Sequence, residues 1–178
     1  MGESVKHLSQ RVGVFVDASN MYFSAQRLYN GSLNFKSVLN TAVAKRNLVR
    51  AFAYVVTNEN EGEKEFLQAL DDIGFEVRSK PLQVFSSGTK KGDWDVGLAM
   101  DVVRSLPLID VVVLVSGDGD YVDLLDYCRG HGRRTEVMAF KQTTSNKLLE
   151  ETDEFTDFSA DTRKYIFSKR PRTKITLS

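Results

Sequence analysis

The chain has 178 residues, 42% apolar and 27% charged, which suits one packed domain and is too apolar for a disordered chain. Its 24 lysines and arginines balance its 24 aspartates and glutamates, so bulk charge neither favours nor opposes a polyanionic partner. A single cysteine, Cys128, excludes an internal disulfide. With only His7 and His131 beside it there is no Cys/His zinc constellation, and any metal must be held by oxygen.

No apolar run approaches the ~20 residues that span a bilayer. The opening MGESVKHLSQR lacks the apolar segment of an export signal, so a cytoplasmic location with no membrane partner is expected.

The β-branched run at 12–16 (VGVFV) ends at Asp17 and reads as a buried strand feeding a loop. Apolar residues then recur at helical spacing over 20–29 and 35–45, with Asn30-Gly31 as the stop between them. A second strand is expected at 49–56, and the segment at 61–74, acidic early and ended by glycine, reads as a helix. A third strand, FEVRSK, precedes SSGTKKGD, which has no apolar residue and reads as an exposed loop. Asp93 or Asp95 can cap the helix that follows, through Arg104.

The run at 109–115 (IDVVVLV) is the most strongly buried strand, followed by SGDGD and the helix YVDLLDYCRG. Strand TEVMAF then precedes a short helix that Ser145 or Asn146 can cap. Strands alternating with helices predict a mainly parallel sheet covered on both faces, because parallel crossovers need an intervening helix. From 161 to 178 six bases (Arg163, Lys164, Lys169, Arg170, Arg172, Lys174) face one acid, so the expected organisation is a domain over 1–160 and a basic tail over 161–178.

In an open parallel sheet, ligands bind beyond the carboxyl ends of the strands, at the switch in strand order. That rule selects Asp17 and Asn20 after the first strand, and Ser116, Asp118 and Asp120 after IDVVVLV. Asp93 and Asp95, at the start of a helix, can project onto the same edge. Carboxylates held close repel one another unless a cation lies between them, so their convergence predicts a site for Mg²⁺, Mn²⁺ or Ca²⁺. Mg²⁺ keeps positions open for a phosphate and a water, which fits phosphodiester hydrolysis. The chain carries no HExxH pair, GxSxG elbow or Walker loop.

Each residue also has a plainer role. Asp17 and the SGDGD acids suit turns and helix caps. Asp101 lies about 600° around the helix from Asp95 at 3.6 residues per turn, so it faces elsewhere, and a surface position is expected. Lys90 and Lys91 flank the acids, where they would steer phosphates or simply be solvated. Trp94 is expected in the core beside a helix start, His131 in a turn, and Cys128 in the packing.

The ordered motifs VFVDASNMYF, KGDWDVGLAMDVV, VVLVSGDGDYVDLL and SNKLLEETDEF resemble NYN domains of the LabA-like group, within the PIN-like ribonuclease superfamily, over about residues 11–158. The resemblance implies a Rossmann-like three-layer α/β/α fold and a divalent-metal site, Mg²⁺ or Mn²⁺, built from Asp17, Asp95, Asp118 and Asp120. It implies supporting roles for Asn20 and Ser116, ranks Asp95 above Asp93, and marks Asp101 as a recurrent acid.

A metal-dependent endoribonuclease is therefore the expected function, with RNA as substrate and Lys90 and Lys91 near its backbone. The first alternative is a regulatory or scaffold protein of the same fold, acting through RNA, a protein partner or a second copy. Phosphotransfer on an aspartate is the other, supported by Lys141 and opposed by the absence of a second acid after Asp17.

Overall fold

In a computed structural model, which describes residues 6–168, the chain opens with β1 (Arg11–Asp17), α1 (Ala18–Tyr29), β2 (Gly31–Leu33), α2 (Phe35–Val43), β3 (Asn47–Thr57), α3 (Glu63–Ile73) and β4 (Glu76–Pro81). A hairpin, β5 (Gln83–Val84) and β6 (Lys90–Lys91), leads to α4 (Asp95–Ser105), β7 (Val111–Val115), α5 (Val122–Gly130) and β8 (Arg134–Ala139). The last elements are α6 (Asn146–Glu151), β9 (Glu154–Asp157), α7 (Thr162–Tyr165) and β10 (Ile166–Ser168).

Six strands form the central sheet in the order β4-β3-β1-β7-β8-β9, with every neighbouring pair parallel. The chain builds outward from β1 in one direction and from β7 in the other, so the switch in strand order falls between them. Alternation along each strand divides the core in two. Val12, Val14 and Val16 of β1, with Val111, Val113 and Val115 of β7, face α1, α2 and α3. Phe15, Val112 and Leu114 face α4, α5 and α6. Burial on both faces explains why these strands read as unbroken apolar runs, and each fully buried valine or leucine contributes about 1.5–3 kcal/mol. The expected three-layer α/β/α architecture is the one observed, and Cys128 is fully buried in the second cluster. Among the described residues no helix is long and apolar enough to cross a membrane.

One strand adds to the expected elements, and two expectations need correction. The segment EFTD forms β9 against β8, although it offers a single large apolar residue, Phe155, which packs on both clusters. The loop expected at 86–93 belongs to an exposed β5–β6 hairpin, in which Lys90 and Lys91 pair with Val84 and Gln83. The fold also continues beyond 161: β10 pairs antiparallel with β2, and Tyr165 is buried against Phe158. Lys169, Arg170, Arg172 and Lys174 lie outside the described residues.

Candidate metal centre

Two adjacent strands end in acidic loops. β1 ends at Asp17, β7 runs into Ser116-Gly117-Asp118-Gly119-Asp120, and the pairing of Val16 with Val115 brings both loops to one edge at the switch point. Asp17 Oδ1 accepts the Asn20 N–H at 3.2 Å and so caps α1. Asp118 Oδ1 accepts the Asp120 N–H at 2.9 Å and caps one 3₁₀ turn. Ser116 Oγ in turn accepts the Asp118 N–H at 3.2 Å. Capping and ligation are therefore not rival roles here, since the caps fix the directions of the carboxylates.

The acidic loop has glycines where contact demands them. A Cβ on Gly117 would lie 2.9 Å from the Thr143 carbonyl oxygen, and one on Gly119 would lie 2.8 Å from Ser145 Oγ. The Ser145 N–H also donates to the Gly117 carbonyl at 3.0 Å, so the segment after β8 clamps this loop from behind.

A third segment, the start of α4, supplies the fourth acid. The Trp94 indole N–H donates to the Val55 carbonyl at 3.0 Å, and its ring packs against Tyr54 and closely over Gly97. This anchors the helix start, as expected of a lone core tryptophan. Asp93 Oδ1 accepts the Asp95 N–H at 3.3 Å and orients the first turn. One carboxylate oxygen from each of Asp95, Asp118 and Asp120 then lies within 4.8 Å of the others.

Asp17 joins this triad through Tyr121. The buried Tyr121 hydroxyl donates to Asp95 Oδ1 at 3.1 Å and lies 3.5 Å from Asp17 Oδ2. One hydroxyl proton can serve only one carboxylate at a time. Burial, helped by the charges of Asp95 and Asp118 against the Asn20 and Tyr121 hydrogen bonds, raises the Asp17 pKa to about 6. The Asp95 carboxyl is raised as well, by burial first and then by Asp93, Asp118 and Asp120, against the Tyr121 hydrogen bond. Burial and the neighbouring Asp17 and Asp95 carboxylates push the Tyr121 hydroxyl far up, so it stays protonated and donates. Among the described residues, none of Asp17, Asp95, Asp118 and Asp120 forms a salt bridge.

A cavity of about 290 Å³ opens in front of Asp17, Asn20, Asp93, Asp95 and Asp118. Asn20 Oδ1 also accepts the Gly117 N–H at 3.5 Å, tying the two strand ends together. Ser116 is fully buried, so its contribution is to hold the Asp118 loop. Lys90 and Lys91 do not line this cavity; Lys91, with Lys80, lines a second one of about 300 Å³ that adjoins it at Gly92 and Asp93.

Asp101 is not on the surface. It is 7% exposed, accepts from the Tyr54 hydroxyl at 2.9 Å and pairs with Arg78 at 2.9 Å and Arg104 at 3.5 Å. The helical turn does point it away from Asp95, but toward the sheet. Tyr121 is the functional candidate that sequence reasoning passed over, and its only signal is its place directly after SGDGD.

Residues 11–161 match the model of the NYN domain. The chain belongs to the NYN domain family. This NYN domain is 27% identical over 165 residues to the low amplitude and bright protein LabA of Synechococcus elongatus, a match covering 88% of this chain and 87% of LabA. Its fold is similar to the crystal structure of a protein of unknown function from Vibrio parahaemolyticus. That similarity has a TM-score of 0.82 at 27% identity and covers 92% of this chain and 99% of the other. The PIN-like architecture implied by the sequence motifs is thus borne out. The donor set also suits the divalent ions that such domains use: carboxylate oxygens alone favour a hard cation over zinc.

Proposed function

We propose that this NYN domain hydrolyses RNA phosphodiester bonds at the aspartate cluster with Mg²⁺ or Mn²⁺. The observation that carries this reading is three carboxylates within 4.8 Å of one another at the switch point, unpaired with any described lysine or arginine. Asp95, Asp118 and Asp120 would hold the cation, and Asp17 would complete the set. When bound, the ion supplies charge to neutralise the phosphoryl oxygens and activates the attacking water.

The chain's own residues prepare that chemistry. Backbone caps hold Asp17 and Asp118 in fixed rotamers, so little side-chain freedom is lost on ligation. Tyr121 keeps the Asp95 carboxylate turned inward and offers a donor between Asp95 and Asp17. Asn20 holds the two loops at one spacing and presents its amide to the cavity. Because Asp17 takes up a proton near pH 6, cation affinity should fall as the solution is acidified through that value.

The test is cleavage of labelled single-stranded and hairpin RNA in Mg²⁺, Mn²⁺ or EDTA, comparing the native chain with Asp17→Asn and Asp118→Asn. Metal-dependent cutting reduced by about 100-fold or more in both variants is expected. Cutting that survives both substitutions would sink the assignment, and no cutting at all would leave a binding or scaffold role.

A further inference from the structure

Beside the aspartates, on the side away from Lys80 and Lys91, lies a third cavity of about 500 Å³ lined by Tyr22, Phe23 and Phe66. It shares Ser19, Phe23, Val56 and Asn58 with the cavity over the aspartates, so the two form one continuous groove. Phe23 stands at the junction and is 62% exposed, with Tyr22 edge-on to it at 5.6 Å between ring centres and 39% exposed. Tyr22 in turn meets Phe66 at 6.1 Å. Both exposed rings lie in the second turn of α1, whose first residue follows Asp17. Two large aromatic rings left in water on a helix that buries Ala18, Met21 and Ala25 fully and Leu28 and Tyr29 in part call for an occupant.

The charges around the groove indicate which part of a ligand enters this end. Its charged lining residues are both acidic, Glu61 and Glu63, and its amides come from Asn58 and Asn60. A phosphate would be repelled there. A neutral planar heterocycle would find π-faces for stacking and amides for its polar edge. The opposite end of the groove carries Lys80 and Lys91, which suit backbone phosphates.

We infer that the Tyr22–Phe23–Phe66 cleft is a base-binding subsite, in which Phe23 stacks the nucleobase next to the phosphate held at the aspartates. This rests on the RNA reading of the aspartate site and adds to it a specific contact. A base can reach Phe23 only when it is out of a duplex stack, so the subsite selects unpaired strands.

The test is fluorescence anisotropy with a short labelled single-stranded RNA and its abasic counterpart, in Ca²⁺, with strand integrity checked on a gel. The native chain, Phe23→Ala and Phe23→Trp are compared. Phe23→Ala should weaken binding of the intact strand by about 5- to 100-fold, the range of one base stack. Phe23→Trp should keep or improve it, and all three proteins should bind the abasic strand equally weakly. Equal losses on both strands, an intact affinity in Phe23→Ala, or no binding by the native chain would overturn the inference. Base-dependent binding without metal-dependent cutting would reject the nuclease and keep the subsite; cutting with an affinity indifferent to Phe23 would do the reverse.

Discussion

The two ends of the central sheet treat clustered carboxylates in opposite ways. At the amino end, Glu136 of β8 accepts from both terminal guanidinium nitrogens of Arg46, whose side chain is fully buried, each at 2.9 Å, and from the Arg134 Nε at 2.9 Å. Lys6 and Glu154 extend the cluster to the surface. At the carboxyl end, Asp17, Asp95, Asp118 and Asp120 crowd together with a tyrosine and backbone amides but no cationic partner among the described residues. One end spends its charge on holding the fold, and the other keeps an electrostatic cost that a ligand can relieve.

If that contrast holds, the largest effect should come from the amino end. Glu136→Ala leaves Arg46, whose side chain is fully buried, without its carboxylate and should cost about 3–5 kcal/mol in denaturant unfolding. Burial alone would raise the Glu136 carboxyl, but the Arg46 and Arg134 hydrogen bonds hold it below the ordinary range. Its stabilising contribution is therefore present above the usual carboxylate pKa and is lost as pH falls through the lowered native value. A loss below about 1 kcal/mol would show that the network is no more than a surface pair.

The carboxyl end should respond with the opposite sign. The Asp17 pKa is raised from 3.8 to about 6, so the native state binds its proton more tightly than the unfolded chain, and the ionised carboxylate destabilises the fold above that value. In EDTA at pH 8, Asp17→Asn should thus be more stable than the native chain by roughly 1–3 kcal/mol. The gain should fade as pH drops through 6 toward 3.8. Adding Mg²⁺ or Mn²⁺ should stabilise the native chain more than the variant. A variant less stable than the native chain at every pH would mean that the Asn20 cap outweighs the cost of burying the charge among other acids.

The smallest and most local effect concerns Tyr121→Phe. Removing one hydroxyl shared by two acids should change stability by only about 1 kcal/mol. Because that hydroxyl lowers the pKa of both Asp17 and Asp95, both should titrate at higher pH in the variant. Carboxyl-selective NMR titration would read this directly, and unchanged midpoints would remove Tyr121 from the site.

Asp17 and the SGDGD acids were legible in the sequence because each follows a short valine-rich run, whose length and β-branched content mark a strand buried on both faces. The sheet order could not be read, but the rule for switch points needed only the strand ends. β9 escaped because EFTD has neither alternation nor a β-branched run, and β2 and β10 because each has three residues and depends on a partner distant in sequence. Asp101 was misplaced for a related reason: helical geometry gives a side chain's direction, not whether solvent or an arginine-bearing strand lies there. Tyr121 and Phe23 show the same gap, since a buried and an exposed aromatic look alike in a sequence.

The parallel pairing of β1 with β7, Val12 opposite Val111, joins segments from opposite halves of the chain. Closing so long a loop carries an entropic cost that must be met before the pairing can stabilise the chain. Asp95, Asp118 and Asp120 all come from residues 95–120, whereas Asp17 cannot reach them before that closure, so the full set of four acids, unlike its triad, requires the paired sheet. An ion that draws on Asp17 as well as the triad therefore binds most tightly once the two halves of the sheet are paired, and the Asp17 share of its affinity reports on that pairing.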